Sequence, residues 1–267
     1  MCLIVFAWQV IPGSPLIAAA NRDEFYARPT APAGWWEDRP GIYAGRDLQD
    51  GGTWIGITRS GRFAAITNVR APAERRTDAP TRGTLVSDFL GSQKTAAEYV
   101  AEISGDAAKY NGFNLLVGDG KELIWYSNKN QDKNEKDPRN GQPLPAGIYG
   151  LSNASLDGCW PKVVRTKAQF ASLLCQGAPD ACFFDMLSDT TRSGDCRLPS
   201  TGVGIELERV LSAVFIQSPD YGTRASTLVR IKANGSAMLH ERVAPPFCPS
   251  SPIHTHPASP SESRCSR

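Results

Sequence analysis

Cys2 stands directly behind Met1. Initiator methionine is normally removed when a small side chain follows it, and removal here would leave a thiol and an α-amine on one terminal residue. The amine has a reference pKa of about 7.7, so at neutral pH a useful fraction is unprotonated and can accept the thiol's proton, directly or through one water. Nucleophile and base then need no separate histidine. Read alone, Cys2 is equally well a small apolar residue opening a buried strand, and its type does not decide between the two.

A polar tetrad, Asn21-Arg22-Asp23-Glu24, closes the next apolar stretch. If that stretch pairs antiparallel with the first, the tetrad lies near Cys2. Period-two alternation sends Arg22 and Glu24 to one face and Asn21 and Asp23 to the other, so all four can serve one site only through a bend or bulge. An arginine beside a thiol favours the thiolate, and a carboxylate can hold an α-ammonium. A thiol at its reference pKa is only about 3% ionised at pH 7, against roughly three quarters for one lowered to about 6.5. The other reading of the tetrad is a solvated charge cluster ending a strand.

Asn68 and Asn153 occupy similar strand-end positions. A neutral amide N–H suits an oxyanion, and asparagine is also a common turn former. Arg224, in Tyr221-Gly222-Thr223-Arg224, is either a carboxylate-binding fork or a surface charge. Gly202-Val203-Gly204 lacks the third glycine of a dinucleotide loop. His254 and His256 with Cys248 and Cys265 form a conceivable metal set, but they fall in a segment without core-forming residues. The tryptophans Trp35, Trp36, Trp54, Trp125 and Trp160 read as core.

The elements that must position these residues are mostly hairpins. Cys2 to Val10 and Leu16 to Ala20 flank Ile11-Pro12-Gly13-Ser14-Pro15, a turn that also breaks what would otherwise resemble an export signal lacking its basic start. Thr53 to Thr58 and Phe63 to Asn68 flank a glycine-containing reversal. Phe113 to Gly118 and Glu122 to Ser127 flank Asp119-Gly120, and Ser226 to Lys232 and Ser236 to Glu241 flank Asn234-Gly235. Thr95 with Glu98 forms a capping box ahead of Ala96, Tyr99, Val100 and Ile103, and Pro161 opens a second helix. Short helices are expected near Ala181 to Leu187 and Glu206 to Leu211, and Ala27 to Tyr43 and Gln131 to Pro145 read as loops. Hairpins grouped apart from helices predict an α+β layered fold with eight or more mostly antiparallel strands. A single domain over residues 1–244 is expected, followed by a disordered Pro/Ser-rich tail over 245–267.

The chain has 267 residues, with 29 basic against 27 acidic side chains and a net charge of +2. A chain of this length can bury roughly 70% or more of its unfolded surface without staples. The charge balance argues against nucleic acid as a partner. Seven cysteines without a C-x-x-C pair predict buried free thiols in a reducing compartment, and no apolar run spans a bilayer, so a cytoplasmic location is expected.

Four motifs in order carry a resemblance: Met1-Cys2-Leu3-Ile4, the tetrad, Gly150-Leu151-Ser152-Asn153-Ala154 with Trp160-Pro161-Lys162 behind it, and Tyr221-Gly222-Thr223-Arg224. Over Met1 to Val243 the chain resembles the NRDE family, also called Transport and Golgi Organisation 2. The resemblance implies the N-terminal-nucleophile hydrolase superfamily, whose fold is a four-layer αββα sandwich. By that likeness Cys2 is nucleophile and base, Arg22 and Asp23 set its ionisation and orient the amine, Asn68 and Asn153 support amine and oxyanion, and Arg224 completes the polar network. Arg22 and Asp23 are adjacent here, whereas the penicillin-acylase and bile-salt-hydrolase branch separates the two residues by two others. The implied activity is hydrolysis of small acyl amides or related acyl compounds through a thioester, with no cofactor and no metal. The alternative is a non-catalytic lipid- or haem-handling protein using the same pocket, in which the Cys2 thiolate ligates haem iron. His240 is the sole histidine ahead of the tail, so bis-histidine ligation within one chain is excluded. A purely structural interaction module is the third reading.

Overall fold

The computed structural model describes residues 2–129 and 137–245, together with the backbone of 263–265. The chain opens with β1 (Cys2–Ile11) and β2 (Ser14–Phe25), joined through Gly13, whose φ of +75° is open to glycine at little cost. β3 (Thr30–Trp35), β4 (Ile42–Asp47), β5 (Ile55–Thr58) and β6 (Phe63–Asn68) follow, then α1 (Gly83–Gly91) and α2 (Ala96–Asp106). β7 (Phe113–Gly118), β8 (Leu123–Ser127) and β9 (Gly147–Leu151) precede α3 (Pro161–Cys175), α4 (Asp180–Leu187) and α5 (Ile205–Leu211). β10 (Tyr221–Ile231), β11 (Ala237–Val243) and the short β12 (Ser263–Cys265) complete the order.

The strands form two antiparallel six-stranded sheets, β12-β11-β10-β2-β1-β9 and β3-β4-β5-β6-β7-β8. Alternation sorts every central strand into two faces. Ile4, Phe6 and Trp8 of β1 meet Ile55, Ile57, Phe63 and Trp125 of the second sheet in the layer between the sheets. Val5 and Ala7 turn the other way, toward Phe170 of α3 and Phe183 of α4. On the far side Ala64, Ile66 and Val117 pack under Phe89 of α1 and Val100 of α2. Helices therefore cover the outer face of each sheet, and the expected four-layer αββα sandwich is the observed one.

Two stretches differ from expectation. Ala27 to Tyr43, read as a loop, contains β3 and the start of β4. β3 is an edge strand with Pro32 in it and a register irregularity between Ala31 and Gly34, and those breakers hide its period. α1 begins and ends on glycine with no side-chain cap, so neither end carries a readable signal. The cysteine expectation is also corrected: Cys2 is buried, but Cys159, Cys175 and Cys196 are exposed and Cys182 is half-buried. They lie on helix surfaces and loops, where an apolar pattern offers no guide to position. Within the segment expected to be disordered, 263–265 runs as a strand beside β11. Residues 246–262, 266 and 267, with His254, His256 and Cys248 among them, lie outside the described residues. No helix among the described residues is long and apolar enough to cross a membrane.

Candidate active site

β1 and β2 pair without a slip at their open end, so Cys2 faces Arg22 across the ladder. Cα partners share a face, and even-numbered residues of both strands point between the sheets. Arg22 accordingly turns into that layer, where its guanidinium lies 4.3 Å over the Trp54 ring and donates to Thr30 Oγ1 at 3.3 Å. It also lies 3.7 Å from the Asp47 carboxylate. Asp23 stands one register step beyond, on the α-nitrogen side of Cys2, with its side chain on the opposite face. There its Oδ1 accepts from Thr223 Oγ1 at 2.7 Å, and its backbone carbonyl accepts from the Tyr221 hydroxyl at 3.0 Å.

The bend foreseen for the tetrad is absent from β2. The irregularity falls instead in the neighbouring strand, where β10 bulges between Thr223 and Ala225. Arg22 and Asp23 therefore keep opposite faces, and both reach one cavity because Cys2 sits where the strand ends and the sheet opens. Cys2, Arg22, Asp23, Asn68, Trp54 and Tyr221 line this cavity, whose volume is about 1000 Å³.

Burial dominates the electrostatics. It pushes the Cys2 thiol above its ordinary pKa, against the opposing pull of the amino-terminal charge, Arg22 and a backbone hydrogen bond from Asp23. The effect of Arg22 on the thiol has the expected sign and is smaller than the desolvation cost. Burial likewise pushes the Asp23 carboxyl up, opposed by Lys162, the amino terminus, Thr223 and Arg70. The Tyr221 phenol is raised well above its usual range by burial, which keeps it neutral at physiological pH.

Asn68 ends β6 on the cavity wall. Asn153 is buried behind it, and its Nδ2 donates to the Asn68 carbonyl at 2.8 Å. The segment carrying Asn153 stitches the sheets together at this corner. Ser152 Oγ donates to the Cys2 carbonyl at 3.0 Å, Thr67 Oγ1 donates to the Ser152 carbonyl at 2.5 Å, and the Arg70 N–H donates to the Asn153 carbonyl at 2.8 Å. Arg224 is placed away from the cavity lining: as the bulged residue of β10, it donates through Nη1 to the carbonyls of Phe25, Tyr26 and Arg28 and clamps the turn after β2.

Sequence reasoning missed three charged groups of this corner. Arg70 lines the cavity, lies 4.5 Å over Trp160 and pairs with the buried Glu208 of α5 at 2.6 Å. Arg82 lines the same cavity, and burial lowers its pKa. Lys162 is buried in the first turn of α3. Arg70 and Arg82 lie in a run without periodicity, and only Lys162 had a signal, its place in the Trp160-Pro161-Lys162 motif. His240 is absent from the cavity wall and packs edge-on against Phe184, 4.8 Å between ring centroids. Among the described residues no cluster of His, Cys, Asp and Glu is arranged to hold a metal ion.

A sequence model described as Transport and Golgi organisation 2 matches residues 1–245. The bovine Transport and Golgi organization protein 2 homolog is 35% identical over 263 residues, covering 91% of this chain and 92% of that protein. The human homolog matches with the same identity and coverage. Among solved structures, a Caenorhabditis elegans N-acylethanolamine-hydrolyzing acid amidase ortholog aligns over 85% of this chain and 92% of its own with a TM-score of 0.47 and 12% identity.

Proposed function

The chain belongs to the Transport and Golgi organisation 2 family, and from the site it carries we propose that it is an N-terminal-cysteine hydrolase of small acyl amides or related acyl compounds. The observation that carries this reading is the register at the open end of β1. It pairs Cys2 with Arg22 across the ladder and leaves Asp23 one register step beyond, on the α-nitrogen side, and all three residues line one cavity.

In this reading the buried thiol is not ionised beforehand, so it needs a proton acceptor at hand. The neutral α-amine of Cys2 takes the thiol proton, and the sulfur forms a bond to the acyl carbon as the carbonyl π electrons move to oxygen. Asn68 supplies an N–H for that oxyanion, held in place by Asn153 at its carbonyl. The ammonium then returns its proton to the departing amine as the C–N bond breaks, leaving a thioester on Cys2. Water, deprotonated by the same amine, attacks the thioester, and the carboxylic acid and the thiol are released. Asp23 fixes the amine's orientation and Arg22 stabilises negative charge on sulfur.

Intact mass of the purified full chain, before and after incubation with a panel of acyl amides and acyl thioesters, tests the proposal. Expected are loss of Met1, a mass gain of one acyl group on the wild type, and turnover reduced at least about 10³-fold in Cys2→Ala. Retained Met1, or equal turnover in Cys2→Ala, overturns it. Binding of acyl compounds by both forms without turnover identifies a carrier instead.

A further inference from the structure

Lys162 is the second residue of α3 and is 1% exposed. Its Nζ has no hydrogen-bond partner among the described residues. The placement carries two penalties, a buried cation without a direct partner and a positive charge at the positive end of a helix. The adjacent cluster of Leu3, Val163, Val214 and Trp160 is apolar, so a methionine of similar length would fill the space without either penalty. Packing does not account for the ammonium.

The fold presses this turn onto the Cys2 corner. Gly150 of β9 pairs with Val5 of β1, and a Cβ on Gly150 would lie 2.6 Å from Val163 Cγ1. Absence of that side chain is what lets the first turn of α3 settle over the start of β1. From there Lys162 interacts with Asp23 of β2, Arg70, Cys2 of β1 and Glu208 of α5. Glu208 is already occupied, by Arg70 at Oε2 and by Thr201 at Oε1. Asp23, whose Oδ1 accepts from Thr223, is the carboxylate that acts most strongly on Lys162, and Lys162 is the strongest of the groups that oppose the effect of burial on Asp23.

An α-amine beside a carboxylate alone is held as an ammonium, which cannot accept the thiol's proton. A second cation nearby reverses that bias. We propose that Lys162 is a positioning residue of this site: its buried ε-ammonium, seated behind the Cys2–Asp23 corner, keeps the α-amine released on Cys2 in its neutral, proton-accepting form. The inference rests on the thioester reading above. Burial lowers the Lys162 pKa to about 8, which leaves it about nine-tenths protonated at pH 7. The other charged and polar groups facing the corner come from several elements. Arg22 is stacked on Trp54, Arg70 is paired with Glu208, and Tyr221 stays neutral; Glu24 and Arg82 stand on the cavity wall.

Two measurements on the mature full chain test this: the Cys2 amine titrated by nitrogen-15 NMR after cysteine labelling, and the rate of Cys2 acylation by p-nitrophenyl acetate from pH 5 to 9, followed by intact mass. In Lys162→Met the amine pKa is expected to rise by about one unit, and acylation at pH 6 to fall about tenfold with little change near pH 9. Lys162→Arg, which keeps the charge, should retain the wild-type profile. If Lys162→Met does not fold, Lys162→Gln carries the same comparison. An amine pKa indifferent to Lys162, or a rate lowered equally at every pH, overturns the inference while leaving the thioester reading intact. A Lys162-dependent amine on a chain that p-nitrophenyl acetate does not acylate overturns the thioester reading alone, and retained Met1 overturns both.

Discussion

The two outer helical layers solve the same packing problem, and they differ at the helix N-termini. In α2 the Thr95 hydroxyl accepts from the Glu98 N–H while the Glu98 carboxylate accepts from the Thr95 N–H. Asp119 and Glu122, from the β7–β8 hairpin, accept from the N–H groups of Ala96 and Ala97 at 2.9 and 3.0 Å. Orphan donors of the first turn are satisfied there, and the nearby charge is negative, as a helix dipole favours. α3 does the reverse: Trp160 offers no side-chain cap, Pro161 removes one donor, and Lys162 buries a cation. The start of α2 follows the local rules, whereas the start of α3, over the Cys2 corner, departs from several of them at once.

Substitutions can break or sharpen this contrast. The largest effect is expected in the conventional layer. Phe89 is fully buried between α1 and the sheet, so Phe89→Ala should cost about 3–5 kcal/mol in urea unfolding while the folded fraction keeps its Cys2 acylation profile. A shifted profile would mean that the two layers are coupled. A smaller stability effect with a functional signature is expected of Gly150→Ala. The added methyl meets Val163 Cγ1 and should cost about 1–3 kcal/mol by forcing α3 off β9. Because Lys162 lifts with the helix, the amine pKa should rise and the acid limb move to higher pH, as in Lys162→Met but less. A destabilised variant with an unmoved acid limb would show that the corner tolerates displacement of α3. Thr95→Ala removes the capping box and should lower stability by about 1 kcal/mol, with no change in the acid limb.

Much of the architecture was legible because its signals are local. Asp119-Gly120 and Asn234-Gly235 mark their reversals by chemistry that works within four residues, and Thr95 with Glu98 marks the start of α2 in the same way. β3 and α1 were not legible. In β3 the edge position tolerates Pro32, and in α1 the glycine ends are stabilised by the surrounding structure rather than by a cap. Within the site, Cys2, Arg22, Asp23 and Asn68 could be selected by residue type and strand position, and the structure brings all four to one cavity. Asn153 sits one residue behind that wall, and Arg224 clamps a turn.

By itself the sequence determined the alternating strands, the turns between them and the presence of a cysteine directly behind Met1, since each depends on neighbours along the chain. Which charges surround that thiol was decided only by tertiary structure. Lys162, Arg70 and Glu208 come from segments between about 60 and 200 residues away from Cys2 in the chain, and the balance of their charges depends on distance and burial. That is why the tetrad suggested an arginine-ionised thiolate, while burial in the assembled corner pushes the thiol pKa up: desolvation is a property of the closed fold, and no spacing of residues encodes it.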